Sequence, residues 1–322
     1  MNSNSKLQKH SDEDRISNLP DPILCHILSF LPTKFAVATA ILSSRWKSLW
    51  VSLPSLNLND SIFFHPTIDS QNPRQKLSFM DFVDRVLMLR DNSLYLDKFN
   101  LNCSGNCDLT RVNEWVCVAI KKNVREIRLS LNLRDHFQLP RDIFSCKTVV
   151  VLELNWKISI DVPQHVCFPS LKVLQFNGVK FSHYESMEKI LCGCPVLEDL
   201  VIKNCKWVRG YSLKVCGMAL KNLTLHLPAI VIEDCKYKVV VDAPALEYLD
   251  IKDYMSEKFM MKNLCSLVKA NVDVGQQLER FITAGDYANR VFELLCGVSN
   301  VKFLSLSGET MEALSYAYAY NF

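Results

Sequence analysis

The sequence predicts an α/β repeat architecture: three short N-terminal helices, then an irregular solenoid on a curved parallel sheet. Three observations carry that prediction. Residues 19–53 pack sixteen large apolar side chains into 35 positions with helical phasing. After them the pattern apolar-x-x-apolar-x-apolar recurs nine times. Between several copies, apolar residues fall at helical rather than alternating spacing. The 322 residues, 49% hydrophobic and 22% charged, suit an ordered chain of one large domain or two unequal ones.

Residues 1–11 read as a solvated tail. Asp21 is the expected N-cap of a first helix, with Pro22 at the first helical position, where its missing N–H costs nothing. Ile23, Leu24, Ile27, Leu28 and Leu31 follow, and Pro32 ends the run. Thr33 is placed to cap a second helix through Phe35, Val37 and Ile41-Leu42; Ser43 or Ser44 caps a third, carrying Trp46, Leu49 and Trp50. About forty residues cannot hide this much apolar surface alone. Each large side chain left in water forfeits roughly 1.5–3 kcal/mol. Either the following domain or a partner must cover it.

The ordered series Leu19-Pro20, Ile27-Leu28, Leu31-Pro32, Leu42-Ser43-Ser44-Arg45-Trp46 and Leu49-Trp50 resembles the F-box over residues 12–56. It is closest in form to the plant version, whose third helix reads Leu-Ser-x-Arg-Trp-x-x-Leu-Trp. The resemblance implies docking on the SKP-type adaptor of a cullin-based (SCF-type) ubiquitin ligase. Carried over by position, the contacts are Leu19, Pro20, Ile23, Leu24, Ile27, Leu28, Leu31, Pro32, Leu42 and Trp46. Some of these must instead form the segment's own core, and the sequence leaves that division open.

Residues 57–95 read as a linking strand and helix, with Ser55–Asn59 as a leading strand and Phe79, Phe82, Val83, Val86 and Leu87 on one helix face. The repeats occupy 96–310. They run Leu96/Phe99/Leu101, Val124/Ile127/Leu129, Val149/Leu152/Leu154, Leu171/Leu174/Phe176, Leu197/Leu200/Ile202, Leu220/Leu223/Leu225 and Leu246/Leu249/Ile251. Leu267/Ala270/Val272 is a degraded copy and Val301/Leu304/Leu306 the ninth. Steps between middle positions are 28, 25, 22, 26, 23, 26, 21 and 34 residues. All but the last fall within the roughly 20–29 residues of leucine-rich repeats. Helical returns are expected at Val112, Trp115, Val116, Ala119 and Ile120, at Met187, Ile190 and Leu191, and at Leu278, Phe281 and Ile282. A doubly wound sheet would need longer returns and often a glycine-rich phosphate loop, and the chain shows neither.

Two further stretches, Cys146-Lys147-Thr148-Val149 and Leu191-Cys192-Gly193-Cys194-Pro195-Val196-Leu197-Glu198, resemble the plant F-box/leucine-rich-repeat family. Many members carry a C-terminal FBD module, for which the residues after the ninth repeat leave little room. Residues 311–322 are expected as a tail, with the last repeat uncapped. The family's repeats imply a target-binding face. On outward strand positions and their borders it would comprise Arg125, Arg128, Glu153, Lys172, Gln175, Glu198, Lys203, Lys221, Thr224, Tyr248 and Asp250.

Other function classes find little support. The net charge is +3 and no basic cluster exceeds Lys121-Lys122, so a nucleic-acid partner is not expected. No apolar run approaches the roughly 20 residues of a membrane span, and the polar N-terminus lacks a signal-peptide core. The chain is therefore expected in the cytosol or nucleus, its thirteen cysteines acting mainly as small buried hydrophobes. Cys103/Cys107 and Cys192/Cys194 lack metal-site spacing, and His26 is no ligand candidate. There is no GxSxG elbow and no phosphate loop, so neither a cofactor nor an active site is expected. The expected role is a non-catalytic, target-recruiting subunit. The alternative is a repeat-based binding protein or competitor that occupies the adaptor without delivering a target.

Overall fold

The structure, a computed structural model, describes residues 15–63, 73–90, 95–105, 107–183, 185–207, 212–227, 237–254, 256–275 and 284–319. Three short helices open it: α1 (Asp21–Ser29), α2 (Thr33–Ala38) and α3 (Ser44–Leu49). The N-caps of α1 and α2 differ from expectation, and that of α3 is Ser43 as expected. Pro20 and Pro32 hold the N-cap positions of α1 and α2, and no side chain bonds back at any of the three. Each Leu-Pro pair therefore starts a helix through proline's fixed φ rather than through an Asp or Thr oxygen. Thr33 is buried instead, and its hydroxyl accepts the Asn57 N–H at 2.8 Å.

Ten parallel strands follow in sequence order as one sheet. They are β1 (Ser55–Asn59), β2 (Lys98–Gly105), β3 (Glu126–Leu133), β4 (Val151–Trp156) and β5 (Val173–Asn177). Next come β6 (Asp199–Lys203), β7 (Asn222–His226), β8 (Tyr248–Asp253), β9 (Lys269–Val274) and β10 (Phe303–Leu306). Strand order that follows chain order is the mark of a solenoid, in which each unit covers its predecessor. The repeat pattern has a direct meaning here. Its first apolar residue, as in Val149 or Leu171, is buried in the turn before a strand, and the next two point inward from the strand itself. Even the degraded copy forms β9, with Ala270 and Val272 in the core.

Helices α4 (Pro73–Leu89), α5 (Leu109–Lys121) and α6 (Ser186–Cys192) stand where helical spacing placed them. The helix expected at Leu278, Phe281 and Ile282 lies outside the described residues, and α7 spans Ala284–Gly297. Two three-stranded parallel sheets in the returning segments add to the helices and irregular segments expected there. One comprises Phe137–Gln138, Ile158–Ile160 and Lys180–Phe181; the other Ser212–Cys216, Lys238–Asp242 and Lys258–Lys262. The expected tail is also largely helical. Helix α8 (Gly308–Ala319) packs on α7 and β9, and its buried Thr310 hydroxyl accepts the Val274 N–H at 2.8 Å. Strand β10 nevertheless stays open, with Phe303 63% and Leu304 47% exposed.

The opening helices and the solenoid share one core, continuous from Leu24 and Leu28 through Trp50 and Leu53 to Leu56 and Leu58. Polar bonds reinforce the seam. The Lys34 ammonium donates to the Ile62 carbonyl at 2.8 Å and lies 4.3 Å from the centre of the Phe63 ring. Buried Arg90 donates to the carbonyls of Leu53 and Tyr95 at 2.7 and 2.8 Å. The repeat domain thus hides part of the apolar surface that the helices cannot hide themselves.

Candidate functional site

The first candidate surface is what the repeats leave uncovered on the helices. In α1, Leu24 and Leu28 face the core, while Ile23, Ile27, Phe30 and Leu31 fall at i, i+4, i+7 and i+8 and are exposed. Phe35, Ile41 and Leu42 continue this surface along the chain, with Ile41 90% exposed, and Ile16 precedes it. Of the ten residues assigned to the adaptor, Pro20, Ile23, Ile27, Leu31 and Leu42 are exposed, and Leu19 and Pro32 are half-buried. Leu24, Leu28 and Trp46 are corrected to core positions, with relative exposures of 0, 1 and 5%. They lie in the shared core and offer no surface to a second protein. Ile16, Phe30, Phe35 and Ile41 were absent from the assigned set. Their signal was present in the sequence, as apolar residues flanking the motif on its exposed side.

Arg45 explains why the third-helix motif carries an arginine. Its Nε donates to Asp21 Oδ1 at 2.7 Å and its Nη2 to the Leu19 carbonyl at 2.6 Å; Nη1 reaches the Ser17 carbonyl. One planar guanidinium therefore ties α3 to the turn that enters α1. The exposed Ile23/Ile27 face is held at a fixed angle as a result.

The second candidate surface is the sheet. Strand register sets Arg128, Glu153, Gln175, Val201, Thr224 and Asp250 in one row across β3 to β8. Tyr248 belongs to a neighbouring row with Asn222 and Lys269, and Lys203 to another with Asn177 and His226. Arg128 pairs with Glu153 at 2.8 Å, and His226 Nε2 lies 3.0 Å from Asp250 Oδ2. Further along, Lys252 donates to Asp273 at 2.6 Å, a bond that raises the ammonium's pKa; neither residue was in the assigned set.

The remaining four assigned residues, Arg125, Lys172, Glu198 and Lys221, each immediately precede a strand and line the sheet's rim. They border an open groove of about 1030 Å³. Glu198 accepts from Lys172 at 2.7 Å and from Lys221 at 2.9 Å, and these two ammonium groups draw its carboxyl down to about 2. Elsewhere, Cys194 and Cys205 are pushed up to about 12 by burial. Among the described residues no three His, Cys, Asp or Glu gather as a metal site, and no helix is long and apolar enough to cross a membrane.

Comparison with known proteins agrees with this geometry. The F-box domain profile matches residues 16–58. A second profile, the LRR repeats of FBD-associated F-box protein At5g56370, matches residues 112–272. Among curated proteins, F-box/LRR-repeat protein At4g14103 of Arabidopsis thaliana is 36% identical, over 94% of this chain and 80% of its own length. Putative F-box protein At3g58860 and F-box/LRR-repeat protein At4g14096, both from Arabidopsis thaliana, are 35% and 34% identical over 94% of the chain. The chain spans 64% of the length of these last two. No solved structure matches. The chain belongs to the plant F-box/LRR-repeat protein family.

Proposed function

We propose that this chain is the target-recognition subunit of an SCF-type ubiquitin ligase in the cytosol or nucleus. Its helices dock an SKP-type adaptor, and its repeats hold a target protein. The observation that carries the reading is the exposed apolar set Ile16, Ile23, Ile27, Phe30, Leu31, Phe35, Ile41 and Leu42. Eight large side chains, about half exposed each, represent on the order of 8 kcal/mol of gross burial energy. So many exposed large apolar side chains within one short stretch of chain support a protein interface there.

In this reading the chain supplies proximity and the ubiquitin chemistry belongs to other subunits. The continuous core and the bonds of Lys34 and Thr33 support the assignment mechanically, because they link the docking helices to β1 and the turn that follows it. A target on the sheet would then sit at a set distance and angle from the adaptor.

The test is co-purification with an SKP-type adaptor, comparing the wild-type chain with Ile23→Asp/Ile27→Asp. Capture by the wild type and its loss in the variant support the reading; equal capture by both contradicts it. Trp46→Ala is a poor probe because Trp46 is part of the core. Ubiquitin transfer by the reconstituted complex separates a recruiting subunit from a competitor that holds the adaptor unproductively.

A further inference from the structure

The rim groove joins side chains from seven successive repeats. Arg125, Lys147, Lys172 and Lys221 border it, with Glu198 as the acidic member among them. Lys147 has no ion-pair partner among the described residues, and Arg125 approaches Asp97 at no better than 4.0 Å. Lys172 and Lys221 are spent only in part, since each bonds Glu198 with one of its three N–H donors. Around the cations the lining is of small side chains, apolar at Val150, Pro169, Val196, Ala219 and Ala245 and polar at Asn123, Thr148 and Ser170. The main-chain groups along this rim are already used in the ladder. The N–H of Lys172 bonds Val150, that of Glu198 bonds Lys172, and that of Lys221 bonds Glu198, all at 2.8–2.9 Å. A ligand here must therefore be read by side chains and not by strand addition.

We propose that this groove binds an extended acidic peptide segment bearing a carboxylate at about every third residue. The spacing follows from the sheet. Arg125 precedes β3, Lys172 precedes β5 and Lys221 precedes β7, so each cation stands two strands from the next. Neighbouring strands lie ~4.8 Å apart, which puts the cations ~10 Å apart along the rim. An extended chain advances ~3.1–3.3 Å per residue, so three residues cover that interval. A segment of about seven residues spans Arg125 to Lys221, its acidic side chains on the cations and the intervening ones over the apolar floor. A polyproline-like segment fits best, since every third side chain falls on one face.

A nucleic-acid strand is less well served. Glu198 sits midway between Lys172 and Lys221, where a continuous phosphate chain would meet it, and among the described residues Tyr95 is the one aromatic side chain of the groove, too few for a row of stacked bases. As a statement of target class, the inference rests on the ligase reading above; as a binding site, it stands on the groove alone.

Fluorescence anisotropy on the full chain tests it. The probe is a labelled nonapeptide with Asp at every third position and Pro or Ala between. Comparison probes have the same composition with the Asp residues adjacent, Lys in place of Asp, or a short oligothymidylate. The periodic acidic peptide should bind roughly tenfold more tightly than the adjacent-Asp and Lys peptides. That advantage should shrink as salt rises. Lys172→Glu/Lys221→Glu should lose roughly tenfold and Lys172→Gln/Lys221→Gln roughly threefold, as expected for a few solvent-exposed ion contacts. Both pairs are surface changes, and circular dichroism checks that the fold persists. Equal binding by the periodic and Lys peptides, tighter binding of oligothymidylate, or unchanged affinity in both variants would overturn the proposal. Adaptor capture by the same wild-type preparation keeps the two ideas apart. Peptide binding without capture removes the ligase reading and leaves the groove assignment, whereas capture without peptide binding does the reverse.

Discussion

Two adjacent residues of α1 give a sharp separation of folding from docking. Leu28 is 1% exposed and Ile27 is 42% exposed. Leu28→Ala leaves a cavity in the core around α1 and should cost about 2–5 kcal/mol. In a chain of this size that corresponds to a drop of about 3–7 °C in melting temperature. Ile27→Ala removes atoms already half in water, and its effect on stability should stay within about 0.5 kcal/mol. Docking, by contrast, would bury the exposed part of Ile27. Full burial of an isoleucine contributes roughly 1.5–3 kcal/mol, so covering its exposed fraction contributes about 1 kcal/mol, or roughly fivefold in Kd for the adaptor. Differential scanning calorimetry of the free chain and isothermal titration with an SKP-type adaptor read the two effects independently. Equal melting shifts for the two variants, or an unchanged adaptor Kd for Ile27→Ala, would refute the division of α1 into a core face and a docking face.

Three other outcomes follow from the repeats. A Cβ added at Gly193 would lie 2.6 Å from the Val166 carbonyl oxygen, so Gly193→Ala should destabilise the chain by about 1–3 kcal/mol, read by urea titration. Glu198 should titrate near 2 by carboxyl carbon NMR, and Lys221→Gln should raise that value. Because the folded carboxyl is depressed, its contribution to stability is complete above the ordinary glutamate range and is lost as pH falls towards 2. Native alkylation at pH 8, mapped by mass spectrometry, should label exposed Cys167, Cys192, Cys265 and Cys296 and spare buried Cys194 and Cys205, whose thiols ionise only near 12.

The strands of the main sheet were legible because each carries three apolar marks, one in the preceding turn and two on the strand, and in all but the open β10 these are buried. Val149, Leu152 and Leu154 are such a set, and so, less plainly, are Leu267, Ala270 and Val272. Four rim residues were legible by the same logic, since Arg125, Lys172, Glu198 and Lys221 each follow the first apolar residue of a repeat. The short return strands were not. Segments of two to five residues, such as Phe137–Gln138, are too brief for alternation to be distinguished from irregular chain. Ile23 and Leu24, or Ile27 and Leu28, are alike in chemistry, so only the packed structure shows which member of each pair faces inward. Arg45 bonds to main-chain carbonyls 26 and 28 residues earlier, and such contacts leave no periodic trace in a sequence.

Hydrogen–deuterium exchange on the full chain, with and without an SKP-type adaptor, tests the central claim most directly. Binding should slow exchange across Asp21–Ser29 and Thr33–Ile41, with little change in the strands of the repeats. Protection confined to the repeats, or none within the opening helices, would contradict the docking role assigned to them.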